Sequence, residues 1–285
     1  MTDNTNMDLE AVRQLLLVMR RLRDPERGCP WDLQQSFASI APHTLEEAYE
    51  VIDAIESGDM QQLQGELGDL LFQVVFYAQL GGEQNLFDFN AIATGISAKL
   101  LHRHPHVFPG GIMDESATIP ATPAISANQV VQNWEVIKAA ERQGKVGAKP
   151  ASALDDVPLA LPALLRAVKL QKRAAAQGFD WKEIQPVFAK VDEELSELHQ
   201  AISAADPAAV EEEFGDLLFT LVNLARHLDL NPETALRQAN HKFEKRIRAV
   251  EILLREEGRY LRDLSESELD EYWNKVKHAD RNSSA

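Results

Sequence analysis

At 285 residues and 45% hydrophobic, the chain can build one large or two modest domains and has the apolar material for a core. A formal net charge of −16 argues against bulk attraction to nucleic acid or anionic lipid, although an acidic protein still takes polyphosphates when a divalent cation mediates. The single cysteine, Cys29, leaves no intramolecular disulfide and no thiolate zinc site.

Leu9, Val12, Leu16, Met19 and Leu22 recur at three- and four-residue spacing and predict a first helix. RGCPWD at 27–32 reads as a turn carrying an inert thiol. Helical runs follow at about 44–56, 60–80, 86–103 and 127–142. Between the last two, PHVFPGGIMDESATIPATPAIS at 105–126 reads as a flexible loop, and His102, His104 and His106 at its entrance as a basic surface turn rather than a metal site. GKVGAKPASALDDVP at 144–158 is a second break. It divides an N-terminal module, 1–143, from a C-terminal module, 159–285, with a linker between. Helical pattern resumes at about 158–176, 186–203, 207–228, 232–257 and 265–277. Strand-like alternation is scarce, so the expected class is all-α. MTDNTNMDLE lacks a signal-peptide pattern and no apolar run nears the ~20 residues of a spanning helix, so a cytoplasmic protein away from membranes is expected.

The two modules repeat each other. QGELGDLLFQVVFYA at 64–78 returns as EEEFGDLLFTLVNLA at 211–225, and residues 46–78 align with 193–225 without a gap. Asp59 and Asp206 head the second helix of each copy as expected N-caps, with Pro207 at the first helical position. Further on the register slips, but Lys99 and Arg103 return as Lys242 and Arg246, and Trp134 and Lys138 as Trp273 and Lys277.

Each copy carries EExxE, a turn, then ExxD. Residues three or four apart share a helix face, which pairs Glu47 with Glu50 and Glu66 with Asp69. Folding back at Ser57-Gly58 sets Glu50 level with Glu66 and Glu47 level with Asp69, because each pair is equidistant from the turn at ~1.5 Å rise per residue. The same arithmetic around Ala204-Ala205 gathers Glu194, Glu197, Glu213 and Asp216. Four converging carboxylates repel unless they protonate or share a cation. An all-oxygen donor set favours Mg²⁺, with Mn²⁺ as the other candidate, over zinc. One EExxE alone is usually a solvated face, and Thr44-Leu-Glu-Glu47 also fits a capping box; duplication with a level ExxD favours the metal site. The cations Lys242, Arg246 and Lys277 could equally pair with surface glutamates, but their recurrence as KxxxR and WxxxK suits an anionic ligand. No GxxxxGK[ST] loop is present, and no ExxH accompanies the EExxE motifs.

With RGCPWD at 27–32, HTLEEAYE at 43–50, GELGDLLFQVVF at 65–76, HRHPHVF at 102–108, NWEVIK at 133–138, GFDW at 178–181 and EEEFGDLLF at 211–219, nearly the whole chain resembles the MazG family of the all-α NTP pyrophosphatase superfamily. The resemblance implies Mg²⁺-dependent hydrolysis of NTPs and dNTPs, loose in base, to the NMP and pyrophosphate, in the service of nucleotide-pool cleansing or starvation responses. It also implies a homodimer, whose partner completes four-helix-bundle-like cores. On that reading Glu194, Glu197, Glu213 and Asp216 hold the metal, and Glu193, with Glu212 as a weaker candidate, is the base. Lys190, Lys242, Arg246 and Lys277 hold the leaving pyrophosphate, and Trp273 lines the nucleotide pocket. The N-terminal copy keeps Glu47, Glu50, Glu66 and Asp69 but has His43 for Lys190, Gly65 for Glu212 and Ser97 for Asn240, which makes the C-terminal copy the expected active one. A narrower dUTPase-like enzyme and a non-catalytic nucleotide-sensing dimer are the competing readings.

Overall fold

The computed structural model describes residues 5–113, 125–126, 129–130, 133–134, 136–137, 140–141 and 152–283. Among these, every regular element is helical. The chain divides into two compact units, Met1–Glu141 and Arg142–Ala285. Half of the expected loop at 105–126, the first part of the linker at 144–158, and Lys138 lie outside the described residues.

The N-terminal unit opens with helices α1 (Thr5–Leu22) and α2 (Pro30–Leu33). RGCPWD forms the tight link between them. The Gly28 N–H donates to Asp24 O at 2.7 Å and the Cys29 N–H to Leu22 O at 2.8 Å. A β-carbon at Gly28 would stand 2.3 Å from Leu22 O, so only glycine lets the chain pass so close. Then come α3 (Phe37–Ser57), α4 (Met60–Glu83), α5 (Phe89–Arg103) and a 3₁₀ turn at Pro109–Gly111. The core joins α1, α3 and α4 through Met19, Ile40, Val75, Phe76 and Leu80, with Phe37, Phe72 and Phe89 packed around it.

Helix α3 starts at Phe37, seven residues before the run expected from sequence. Ser36 caps it: its hydroxyl accepts from the Ser39 N–H while the Ser39 hydroxyl accepts from the Ser36 N–H. Thr44 is therefore inside the helix, with its hydroxyl 2.8 Å from the Tyr77 hydroxyl of α4, and the capping box at Thr44–Glu47 does not form. Pro42 is tolerated near the helix start, where only one backbone bond is lost.

The C-terminal unit comprises α6 (Ala163–Ala175), α7 (Gln185–Ala204), α8 (Pro207–His227), α9 (Pro232–Glu256), a 3₁₀ turn at Leu261–Asp263 and α10 (Glu266–Ser283). Its buried cluster lies between α9 and α10: Val250, Leu254, Tyr272 and Val276. The Gln171 side chain of α6 donates to Phe219 O of α8 at 2.8 Å and fixes α6 on that helix.

The α3–α4 and α7–α8 hairpins are the two copies of the repeat. In each, an aspartate caps the second helix: Asp59 accepts from the Gln61 and Gln62 N–H groups, Asp206 from those of Ala208 and Ala209. Each turn needs one left-handed residue, Gly58 at φ 76° and Ala205 at φ 53°. Each hairpin is also tied to the segment before it, with the charges exchanged. Arg23 grips Glu83 at the end of α4, and Asp180 grips Arg226 near the end of α8.

Alanine at 205 takes a conformation that costs an L-residue more than glycine. Ala205→Gly is expected to stabilise the protein by about 0.5 kcal/mol, the left-handed cost less the entropy glycine loses on folding. Gly58→Ala is expected to destabilise by a similar amount. The midpoint of urea denaturation at constant m-value checks both.

Candidate metal and substrate site

The turns bring the acidic motifs into register. Carboxylate oxygens of Glu194, Glu213 and Asp216 lie within 4.8 Å of one another, and those of Glu47, Glu66 and Asp69 do the same. In each copy one ligand comes from the first helix and two, three residues apart, from one face of the second. Glu194 is 4% exposed, Glu213 is half-buried and Asp216 faces solvent, whereas in the other copy Glu47 and Glu66 are half-buried and Asp69 faces solvent. Glu197 and Glu50, the fourth carboxylates, stand outside these triads but act on them. Glu197 is the strongest repulsive influence on Glu213, and Glu66 is the strongest on Glu50.

The crowding shows in protonation. Partial desolvation, reinforced by Glu197, Glu194, Asp216 and Glu212, pushes the Glu213 carboxyl above its ordinary value. Desolvation with Asp69, Glu50 and Glu66 does the same to Glu47, and desolvation with Glu66 and Glu46 to Glu50. The donor set is all oxygen, converges to chelating distance and lacks counter-charge on one side. It fits a hard divalent cation of the Mg²⁺ or Mn²⁺ type.

The copies differ in charge beside the triad. The Lys190 ammonium bridges Glu193 and Glu194, 2.9 Å from each, and both bonds raise its pKa. His43 stands in its place in the other copy, with Nδ1 3.3 Å from Glu46. Lys190 is thus engaged by the acidic group itself, with two of its three N–H donors used. Glu193, held by Lys190, and Glu212 both face solvent beside the triad.

The remaining sequence candidates form a second group. The Arg246 guanidinium carbon lies 5.6 Å from the centre of the Trp273 ring, and the Phe243 ring centre 5.6 Å from that same ring. Among the described residues no hydrogen bond or ion pair joins Arg246, Trp273, Lys242 or Lys277 to the acidic triad. Lys242 is exposed and Lys277 half-buried, each without a hydrogen-bonded partner among the described residues.

The sequence pattern of the MazG nucleotide pyrophosphohydrolase domain matches twice, at residues 35–108 and 183–250. A nucleoside triphosphate pyrophosphohydrolase of Escherichia coli (strain K12) is 51% identical over 271 residues, covering 94% of this chain and 98% of its own length. A nucleoside triphosphate pyrophosphohydrolase/pyrophosphatase MazG of Thermotoga maritima is 41% identical over 267 residues, covering 94% of this chain and 96% of its own. The chain belongs to the MazG family. Both MazG segments enclose a complete acidic triad and the KxxxR pair, while Trp134, Trp273 and Lys277 lie beyond them.

Two residues escape the sequence reading. Asp280 accepts from Arg246 Nε at 3.0 Å, and Glu141 accepts from Arg103 Nε at 3.1 Å. Each stands seven residues after the tryptophan of its copy, Trp273 or Trp134. A W-x₆-[DE] spacing was therefore the available signal. Phe243, between Lys242 and Glu244, carried no such mark.

A carboxyl whose folded pKa is raised contributes stability below its unfolded pKa and loses it as pH rises through the folded value. Glu47, Glu50 and Glu213 all shift this way, so without metal the protein loses stability as pH climbs above the ordinary carboxylate range. Mg²⁺ or Mn²⁺ is expected to raise Tm more at pH 7.5 than at pH 5. About 2.7 kcal/mol is available at ~100 times Kd per site. Differential scanning calorimetry with and without EDTA checks this; an equal metal effect at both pH values would count against metal on the triads.

Proposed function

We propose that the C-terminal unit hydrolyses NTPs and dNTPs, with little regard to base, to the corresponding monophosphate and pyrophosphate. The supporting observation is the buried-to-exposed triad Glu194, Glu213 and Asp216 beside the Lys190–Glu193 pair, in a chain that is 51% identical to a nucleoside triphosphate pyrophosphohydrolase over nearly its full length.

Glu194, Glu213 and Asp216, assisted by Glu197, would hold Mg²⁺ or Mn²⁺. The ion, when bound, supplies electrostatic polarisation of the phosphate oxygens. Glu193 projects into solvent next to the triad, and Lys190, 2.9 Å away, orients it. It accepts the proton of the water that attacks the α-phosphorus, with Glu212 as the second candidate. As the bond to the pyrophosphate oxygen breaks, negative charge grows on the leaving group. Lys242, Arg246 and Lys277 receive it, and Lys190 contributes its third N–H. Trp273, half-buried against Phe243, gives the nucleotide a flat apolar wall.

In the N-terminal unit Glu47, Glu50, Glu66 and Asp69 can hold a cation, but His43 replaces Lys190 and Gly65 replaces Glu212, so its role is assembly and accessory binding. Assembly is as a homodimer. Leu67 and Leu71 on α4, and Phe214, Leu218 and Leu221 on α8, are more than 40% exposed at helical spacing, leaving apolar stripes for a second copy to cover. No described helix is long and apolar enough to cross a membrane. We place the reaction in the cytoplasm, where NTP pools reside, as a cleansing or starvation-response activity that requires no nucleic-acid partner.

Product identification from each NTP and dNTP, with and without Mg²⁺, tests this. Glu194→Gln and Asp216→Asn are expected to lower turnover by about 10³-fold, the loss of several kcal/mol of transition-state stabilisation. Glu66→Gln and Asp69→Asn are expected to stay within about threefold of wild type, below ~0.7 kcal/mol. Loss of activity in the second pair alone would move the active site to the other unit. Orthophosphate as product would move the attack to the γ-phosphorus. One base preferred by orders of magnitude would make the enzyme a narrow, dUTPase-like one, and binding without turnover would make the chain a sensor.

A further inference from the structure

Both units carry an arginine, a tryptophan and a carboxylate in corresponding places: Arg103, Trp134 and Glu141 in one, Arg246, Trp273 and Asp280 in the other. The ion pairs are alike, but their closure differs. Arg103 is gripped twice, since Glu141 accepts from both Nε and Nη2. Arg246 is gripped once. Asp280, one methylene shorter, accepts from Nε at 3.0 Å, and among the described residues neither Nη group of Arg246 has a hydrogen-bond partner. The Asp280 carboxyl is held below its ordinary value by that bond and by Lys245 at 3.5 Å, so it is anionic at neutral pH. The Arg246 side chain is only 14% exposed and its guanidinium lies over the Trp273 ring. It is therefore oriented on two sides while its paired Nη donors, the edge that binds phosphate bidentately, remain available.

We propose that Asp280 is a positioning residue for substrate binding and that its length is the specificity-determining feature of this carboxylate. Aspartate fixes Arg246 through Nε and leaves both Nη groups for phosphate oxygens. Glutamate at the same place closes the arginine, as Glu141 closes Arg103. This inference rests on the reading that Arg246 holds substrate phosphates, and it adds that the open state of Arg246 is set by Asp280. A lone basic residue on the surface would need no such partner. An arginine that must meet a polyphosphate at a defined angle does, because the entropy of its long side chain is lost before the ligand arrives rather than on binding.

The test uses the full chain and two readouts: steady-state kcat and KM for ATP hydrolysis with Mg²⁺, and equilibrium dialysis of ATP with Ca²⁺ in place of Mg²⁺, which does not depend on turnover. Asp280→Glu is expected to raise KM and the ATP Kd about tenfold, the loss of charge-assisted hydrogen bonds, with kcat changed less than about threefold. Asp280→Asn keeps an acceptor for Nε and is expected to bind ATP within about threefold of wild type. In an Arg246→Ala background Asp280→Glu is expected to add nothing further, since the two act as one unit. Glu141→Asp, the opposite change in the other unit, serves as the control for a generic effect of carboxylate length and is expected to leave KM unaltered. Wild-type KM and Kd in Asp280→Glu, or an equal effect with and without Arg246, would overturn the inference. So would a fall in kcat and Tm together in both Asp280 variants, which marks a structural role only. Failure of the parent reading looks different: ATP binding is then insensitive to Arg246→Ala itself.

Discussion

Like charges held close together are the constraint on which both units are organised. Three carboxylates within 4.8 Å of one another repel, and yet the hairpins deliver them there twice. The backbone does so by keeping the two helices level. Gly58 and Ala205 turn the chain at the same place in the repeat, Asp59 and Asp206 start the second helix one residue later, and the acidic motifs then fall opposite each other. A turn longer by one residue would rotate the second helix by about 100° and carry Glu213 and Asp216 off the facing side. Alanine in the left-handed region at 205 fits this picture, because the register is kept even where the residue that adopts it most readily is missing.

The same scaffold then carries two electrostatic outcomes. In α7 the Lys190 ammonium spans Glu193 and Glu194, so the acidic group has one internal cation and a carboxylate held at its rim. In α3 the corresponding His43 meets Glu46 and the edge of Trp31 and bridges no pair of carboxylates among the described residues. The distinction between the units is therefore carried by cations rather than by ligands. The arginines repeat the pattern at a second place, with Glu141 engaging Arg103 through two nitrogens and Asp280 engaging Arg246 through one. At both places the units share a fold and differ in how a basic side chain is engaged.

The triads were legible in the sequence because everything that fixes them is local. The repeat runs without a gap from 46 to 78 and from 193 to 225, both turn positions lie inside it, and helical rise converts residue counts into heights. Glu50 and Glu197 lie outside the triads although they are level with Glu66 and Glu213, and they act on Glu47 and Glu213 through their charge. The start of α3 was misread for a different reason. Thr44-Leu-Glu-Glu47 has the composition of a capping box, but Ser36 and Ser39 cap the helix first and leave Thr44 to meet Tyr77. Asp280 and Glu141 were not read at all. Their importance depends on how α9 and α10, or α5 and the segment at Glu141, pack side by side, and there the offset between copies slips from 147 residues at Glu66 and Glu213 to 143 at Arg103 and Arg246 and 139 at Trp134 and Trp273.

Separating the acidic triad from the aromatic and basic group has a physical rationale. Among the described residues no ion pair joins the two, although Glu213 and Arg246 are opposite charges in one unit. Had Arg246 met Glu213 directly, it would have relieved part of the repulsion within the triad and spent its own donors. Arg246 instead meets Asp280 at 3.0 Å, a carboxylate that belongs to neither triad and that also pairs with Lys245. The acidic group is thereby left with Lys190 as its own cation, and the guanidinium keeps its Nη donors. On the proposed function, a metal–triphosphate complex, cationic at one end and anionic along the rest, is the kind of ligand that would satisfy both groups at once.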